Sequence, residues 1–291
     1  MHIWSDCIPC IVKMALETCR LAGGQEEEVK KIMEKVLALK PLRGEFWETT
    51  SPEIVRDAWN IITERFGQRD PLKKLKDEQN NKALQAYPRA KVTVEESKDP
   101  FLTALKLSIE GNAFDAMIGA GSDPTKGLAE KLDGLVIDLD HVKTLKERLV
   151  RSKRVVWLSD NCGEIVFDRL LLETMRRFYK LDIVYITRTT PILNDATLTD
   201  ASLVGLGEVA TLMENGIEEP LAGTILAKTS PKVRRLVEEA DLVISKGVGN
   251  YDSLTEEKGL NGKISYLFHA KCQPCCRSQK ANLGDLIIFN S

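Results

Sequence analysis

Val155-Val156-Trp157-Leu158-Ser159-Asp160-Asn161-Cys162-Gly163-Glu164 is the stretch on which the fold turns. Its first four residues are apolar without alternation, the pattern of a strand buried on both faces. A polar turn with one glycine follows, and from Glu164 to Lys180 the apolar residues return at helical spacing. Four more such runs lie downstream: Ile183-Val184-Tyr185-Ile186, Leu242-Val243-Ile244-Ser245, Ile264-Ser265-Tyr266-Leu267 and Leu286-Ile287-Ile288-Phe289. Helical stretches such as Pro231 to Ala240 separate several of them. Alternating strand and helix predicts an α/β fold with a Rossmann-like, mostly parallel sheet.

Upstream the rhythm differs. Ile8, Ile11, Val12, Ala15, Leu16 and Cys19 repeat at helical spacing, and Gly23-Gly24 ends that run. Val29, Ile32, Met33, Val36 and Leu37 form a second helix stopping before Pro41. Ser51-Pro52 reads as a cap with a first-turn proline, followed by the apolar face Ile54, Val55, Ala58, Trp59, Ile62 and Phe66. A polar helix is predicted from about Leu72 to just before Pro88, and another from Asp99-Pro100 to Gly111. The expected division is a helical N-terminal subdomain over 1–110 and an α/β metal- and phosphate-binding domain over 111–291. No internal repeat or low-complexity segment is visible.

The totals bound the function. The chain has 291 residues and a net charge of −2, with 43% hydrophobic and 29% charged residues, as in soluble globular proteins. Acidic and basic residues are mixed, so the basic stripe of a nucleic-acid binder is lacking. No apolar run approaches the roughly 20 residues that span a bilayer, so no membrane partner is expected. The N-terminus has no basic start followed by an apolar stretch, and a cytoplasmic location is the expectation. Nothing in the pattern specifies an oligomeric state.

In an open parallel sheet, ligands bind beyond the carboxyl ends of the strands. After the first strand come Asp160, Asn161 and Glu164; after the second, Asn194-Asp195; after the third, Lys246-Gly247-Val248-Gly249-Asn250; after the fourth, His269-Ala270-Lys271. Hard divalent cations prefer such oxygen ligands, and Asp160, Asn161 and Asp195 offer three. The metal would polarise a phosphoryl group. Lys246 and Lys271 would meet phosphate as point charges. Gly247 and Gly249 let backbone N–H groups come close to its oxygens. Each feature has a plainer reading too: Asp160 as a helix cap, Asn194-Asp195 as an Asx turn, Lys246 to Asn250 as a strand-to-helix turn.

The whole chain resembles the damage-control phosphatases, a family long known only as a domain of unknown function, and most closely the cysteine-containing subfamily of archaea. The residues that carry the likeness are Asp6-Cys7-Ile8-Pro9-Cys10, Gly111-Asn112-Ala113-Phe114-Asp115, Asp160 to Glu164 with Phe167-Asp168, Asn194-Asp195, and Ser245 to Tyr251. The resemblance implies a divalent metal, with manganese, nickel or cobalt favoured over magnesium, on Asp160, Asn161 and Asp195, which are also the catalytic set. It implies hydrolysis of small phosphorylated metabolites such as sugar phosphates. Lys246 to Asn250 match the family's phosphate-contacting loop. Asn112, Asp115, Glu164 and Lys271 complete the expected substrate side. Asp252 stands where relatives often carry glutamate. The Arg-Thr-x-Lys motif of the eukaryotic sugar-phosphate subfamily is absent, with Lys271 in place of its lysine.

Two other functions compete. One is an S-adenosylmethionine-dependent carboxyl methyltransferase, against which no G-x-G-x-x-G turn follows a strand. The other is a non-enzymatic metal- or redox-binding module on the cysteines. Cys7-x-x-Cys10 and Cys272-x-x-Cys275 stand at opposite ends of the sequence, and only the fold could unite them. A structural zinc site, a disulfide and buried thiols are the alternatives for these four.

Overall fold

The computed structural model describes residues 1–111, 128–260 and 262–291. Helices α1 (Cys7–Leu21), α2 (Glu26–Leu37), α3 (Ser51–Phe66), α4 (Lys73–Glu96) and α5 (Pro100–Glu110) come first, followed by α6 (Leu128–Asp133) and α7 (Leu139–Arg151). Then strand and helix alternate: β1 (Arg154–Leu158), α8 (Glu164–Phe178), β2 (Asp182–Thr187), α9 (Leu198–Leu203), β3 (Thr211–Glu214), α10 (Pro231–Glu239), β4 (Leu242–Lys246), α11 (Gly247–Leu254), β5 (Ile264–His269), α12 (Gln273–Gln279) and β6 (Leu286–Asn290).

The sheet order is β3-β2-β1-β4-β5-β6, parallel except for β6. The order reverses between β1 and β4, and at such a switch point the connections leave in opposite directions and open a crevice. Leu158 pairs with both Ile186 and Ser245, so β1, β2 and β4 end level with one another. The residues that follow them therefore emerge along one edge.

Side chains of β1 alternate between two apolar layers, as the two-residue repeat of a strand requires. Val155 and Trp157 join a core with α4, α5, α7 and α8, while Val156 and Leu158 join one with α10, α11 and α12. Helices α1 to α3 close around a core of their own. Packing thus divides the helices differently from a boundary at residue 110, since α4 and α5 lie on the sheet.

Four local expectations differ from the structure. The helix predicted to end before Pro88 runs on to Glu96. An interior proline costs about 3 kcal/mol, but Ala83, Ala86, Ala90 and Val94 continue one buried face across it, and that burial outweighs the lost hydrogen bond. The Ser51 cap is in fact Thr50, whose side chain and Glu53 form a reciprocal capping box. Strand β3 was not foreseen: its four residues are half-exposed at the sheet edge and lack a buried run's apolar pattern. Strand β6 has that pattern yet runs antiparallel, because apolar residues on both faces report burial and not direction.

Candidate functional site

A cavity of about 220 Å³ opens at the level edge of the sheet. Asp160, Asn161 and Glu164 line it from the β1 end and Asp195 from beyond β2. Gly247 and Gly249 contribute from the start of α11, and His269 and Lys271 from the end of β5. Most of the residues singled out in the sequence therefore meet. Asn112 and Asp115 lie outside the described residues.

The loops after β1 and β2 are clamped together. Asn161 and Asp195 form an antiparallel bridge. The Cys162 N–H donates to the Asn194 carbonyl at 2.8 Å, and the Ala196 N–H to that of Asp160 at 2.8 Å. The β1 loop is also held from α4, where Asn80 Oδ1 accepts from the Gly163 N–H at 2.7 Å. Gly163 itself caps α8 with φ +80°, so Asp160 is not the helix cap.

The charges here are crowded. Asp160 is 8% exposed and Asp195 3%. Burial pushes the Asp160 carboxyl well above the usual carboxylate range, and the nearby Asp195 and Glu164 push it further. Burial raises Asp195 too, opposed by Arg188. Two buried carboxylates, of which Asp195 is paired with Arg188, and the carboxamide of Asn161, which donates to Asp160 Oδ2 at 2.6 Å, form a donor set whose free electron pairs are all on oxygen. A hard divalent cation fits that set.

Arg188 is a buried residue bracing this site that sequence reasoning missed. Its Nε donates to Asp195 Oδ2 at 2.7 Å, and its Nη1 to the Gly223 carbonyl at 2.8 Å. It is buried and holds Asp195 in one orientation. The available signal was position: Arg188 follows β2 directly, on the same edge as the residues that were named.

Two expected substrate contacts are placed elsewhere. Lys246 is fully buried beneath the cavity and does not line it. Its Nζ lies 2.5 Å from both Glu164 Oε1 and Asp168 Oδ1, and 2.9 Å from the Ser108 carbonyl. An ammonium has three donors, and none remains for phosphate. Asn250 is likewise saturated. Its amide donates to the Ser159 and Lys246 carbonyls, and its oxygen accepts from Arg188 and Thr224. Both residues brace the site. Lys271 is the lysine that lines the cavity.

Gly247 is required by space as well as by its φ of +78°. A Cβ there would lie 2.0 Å from Asp160 Oδ2. Gly247→Ala is expected to push the Asp160 carboxylate aside and lower kcat/KM about 100-fold, as misplacement near 1 Å does. Steady-state kinetics check this, and unchanged turnover refutes it.

Glu110 lies behind this wall, with Oε2 buried, unbonded and 3.7 Å from His269 Nε2. Burial pushes its carboxyl up to about 7. A carboxyl raised on folding adds stability below its ordinary value and loses it as pH climbs through the folded value. Glu110→Gln should therefore be more stable than the wild type at pH 8, by up to about 3 kcal/mol, and gain little at pH 4.5. Denaturant titrations at both pH values test this, and an equal difference at the two would refute it.

All seven cysteines are free thiols. Among the described residues no group of three or more His, Cys, Asp and Glu side chains is placed to hold a metal ion. The four-thiolate zinc shell considered for Cys7, Cys10, Cys272 and Cys275 is accordingly not assembled. The set of Asp160, Asn161 and Asp195 counts only two acids. No helix among the described residues is long and apolar enough to cross a membrane.

Similarity to known proteins runs along the whole chain. Residues 3–287 match the damage-control phosphatase ARMT1-like domain. A damage-control phosphatase of Archaeoglobus fulgidus is 38% identical over 302 residues, spanning 99% of this chain and 98% of that one. A second, from Pyrococcus horikoshii, is 27% identical over 294 residues, spanning 100% and 99%. The crystal structure of a DUF89 family protein from Pyrococcus horikoshii has the same fold, with a TM-score of 0.86 at 24% identity over 100% of this chain and 99% of that chain.

Proposed function

The chain belongs to the damage-control phosphatase ARMT1-like family, and from that premise we propose that it is a metal-dependent phosphatase of small phosphorylated metabolites, sugar phosphates among them. The observation that carries this reading is that Asp160, Asn161 and Asp195, from two different strand ends, line one cavity with Lys271.

In this reading Asp160, Asn161 and Asp195 hold the cation, with manganese, nickel or cobalt preferred. The cation supplies Lewis-acid polarisation of the phosphoryl oxygens. Lys271 and the backbone at Gly247 and Gly249 face the remaining phosphate charge. Arg188 aims the Asp195 carboxyl group, and Lys246 that of Glu164. The cavity has room for a small phosphorylated metabolite.

The test is hydrolysis of p-nitrophenyl phosphate and a panel of sugar phosphates by chelator-treated protein, with each divalent ion restored in turn. Turnover is expected to vanish on chelation and to return with manganese, nickel or cobalt. Absence of hydrolysis with every ion and every ester overturns the proposal.

A further inference from the structure

Helix α4 contributes no side chain to the cavity, yet it grips both loops that do. Lys76, Gln79, Asn80 and Ala83 recur at helical spacing along one side of it, and Lys76, Asn80 and Ala83 are buried. Asn80 has no exposed surface, and its Oδ1 accepts from the Gly163 N–H at 2.7 Å. Its Nδ2 lies 3.5 Å from Asp200 Oδ1. Gln79 is half-buried, and its Oε1 accepts from Asn194 Nδ2 at 3.2 Å.

These bonds fall beside the residues that offer oxygens to a cation. Gly163 stands two residues after Asn161, and Asn194 directly precedes Asp195. The helix packs closely on the first loop, since a Cβ at Gly163 would meet that of Gln79 at 3.4 Å. The second loop is held again beyond Asp195. There Asp200 Oδ2 accepts from the Thr197 N–H at 2.9 Å and hydroxyl at 2.6 Å, and lies 3.4 Å from Lys76 Nζ. The stretch from Lys76 to Asn80, little more than one helical turn, thus fixes the β1 loop after Asn161 and the β2 loop on both sides of Asp195.

We propose that Gln79 and Asn80 are positioning residues of the phosphatase reaction: they set how far the Asp160 and Asn161 oxygens stand from those of Asp195, and so how tightly the three hold a divalent cation. This rests on the metal-dependent phosphatase reading. Both side chains are uncharged and lie outside the cavity, so each acts through the loop it holds. The backbone bonds between the loops fix their pairing, whereas α4 fixes both against the rest of the fold. Hydrogen-bonding partners that orient the ligands of a metal typically change its affinity, or the activity, about 10- to 100-fold when removed.

Gln79→Leu and Asn80→Leu, compared with the wild type after chelator treatment, test the proposal. Three quantities are read: manganese binding by calorimetry, turnover of p-nitrophenyl phosphate, and melting temperature without metal. Both variants are expected to bind manganese about tenfold more weakly and to show a kcat about tenfold lower at saturating manganese, with KM for the ester held. Because Gln79 is half-buried, Gln79→Leu should melt close to the wild type. Gln79→Glu keeps the accepting oxygen and should recover most of both losses. Should Asn80→Leu not fold, the two Gln79 variants decide. Unchanged manganese affinity and kcat overturn the proposal, and so does a lower melting temperature with nothing else altered. Wild-type protein that neither binds nor uses any divalent ion defeats the phosphatase reading, and this proposal with it.

Discussion

Asp160→Asn should lower kcat/KM about 1,000-fold or more and, at the same time, raise the melting temperature of the metal-free protein. The two effects have one cause. Asp160 is buried beside Asp195 and Glu164 and carries their repulsion. Asparagine keeps the shape and removes the charge, so the folded state gains. Under the proposed function the same change also removes a cation ligand, and loss of one electrostatic group at a reacting centre costs about 100- to 1,000-fold even without a metal. Added metal is expected to reverse the order of stability. A ligand at 100 times its Kd stabilises the folded protein by about 2.7 kcal/mol, and the wild type receives that gain while the variant does not. Scanning calorimetry with and without manganese, beside steady-state kinetics, reads all three. If Asp160→Asn and Asp195→Asn both keep wild-type turnover, these residues do not hold the metal.

Lys246→Met should cost about 3–5 kcal/mol of stability. Its ammonium lies between Glu164 and Asp168 with no access to solvent. Taking out one partner of a buried ion pair leaves the other charge uncompensated, and that penalty is of this size. Asp168 also accepts from Trp157 Nε1 at 3.1 Å and the Tyr185 hydroxyl at 2.7 Å, so the strain spreads into the core. Adding Asp168→Asn to Lys246→Met should recover part of the loss, which separates charge from shape. Urea denaturation measures both variants. A phosphate ligand would behave differently, because losing it weakens substrate binding and leaves stability nearly untouched. That outcome would return Lys246 to the substrate.

The sheet was legible because its buried strands are uninterrupted apolar runs, and their ends could be read for chemistry before any contact was known. Asp160, Asn161 and Asp195 were singled out in this way, and the structure brings them to one cavity. What failed to show was direction. Lys246 and Lys271 each follow a strand, and both read as cations at the rim. Only the placement of Asp168 four residues beyond Glu164, one helical turn along the same face of α8, decides that Lys246 turns inward. Arg188 was passed over because an arginine after a strand carries no motif, and its partners Gly223 and Asn250 are distant in sequence. Pro88 misled for a related reason, since a local rule was outweighed by burial against α8, which sequence spacing does not reveal.

The cavity has two walls of different origin. The sheet edge brings the oxygens and Lys271, while Ser51, Pro52 and Val55 at the start of α3 face them from across the opening. Those three belong to a helix whose interior is packed apart from the sheet. Substitutions along α3 can therefore reshape the distal end of a ligand's berth without moving an atom of the reacting centre. Under the proposed activity, relatives that share one chemistry would be free to diverge in diet by editing a single helix.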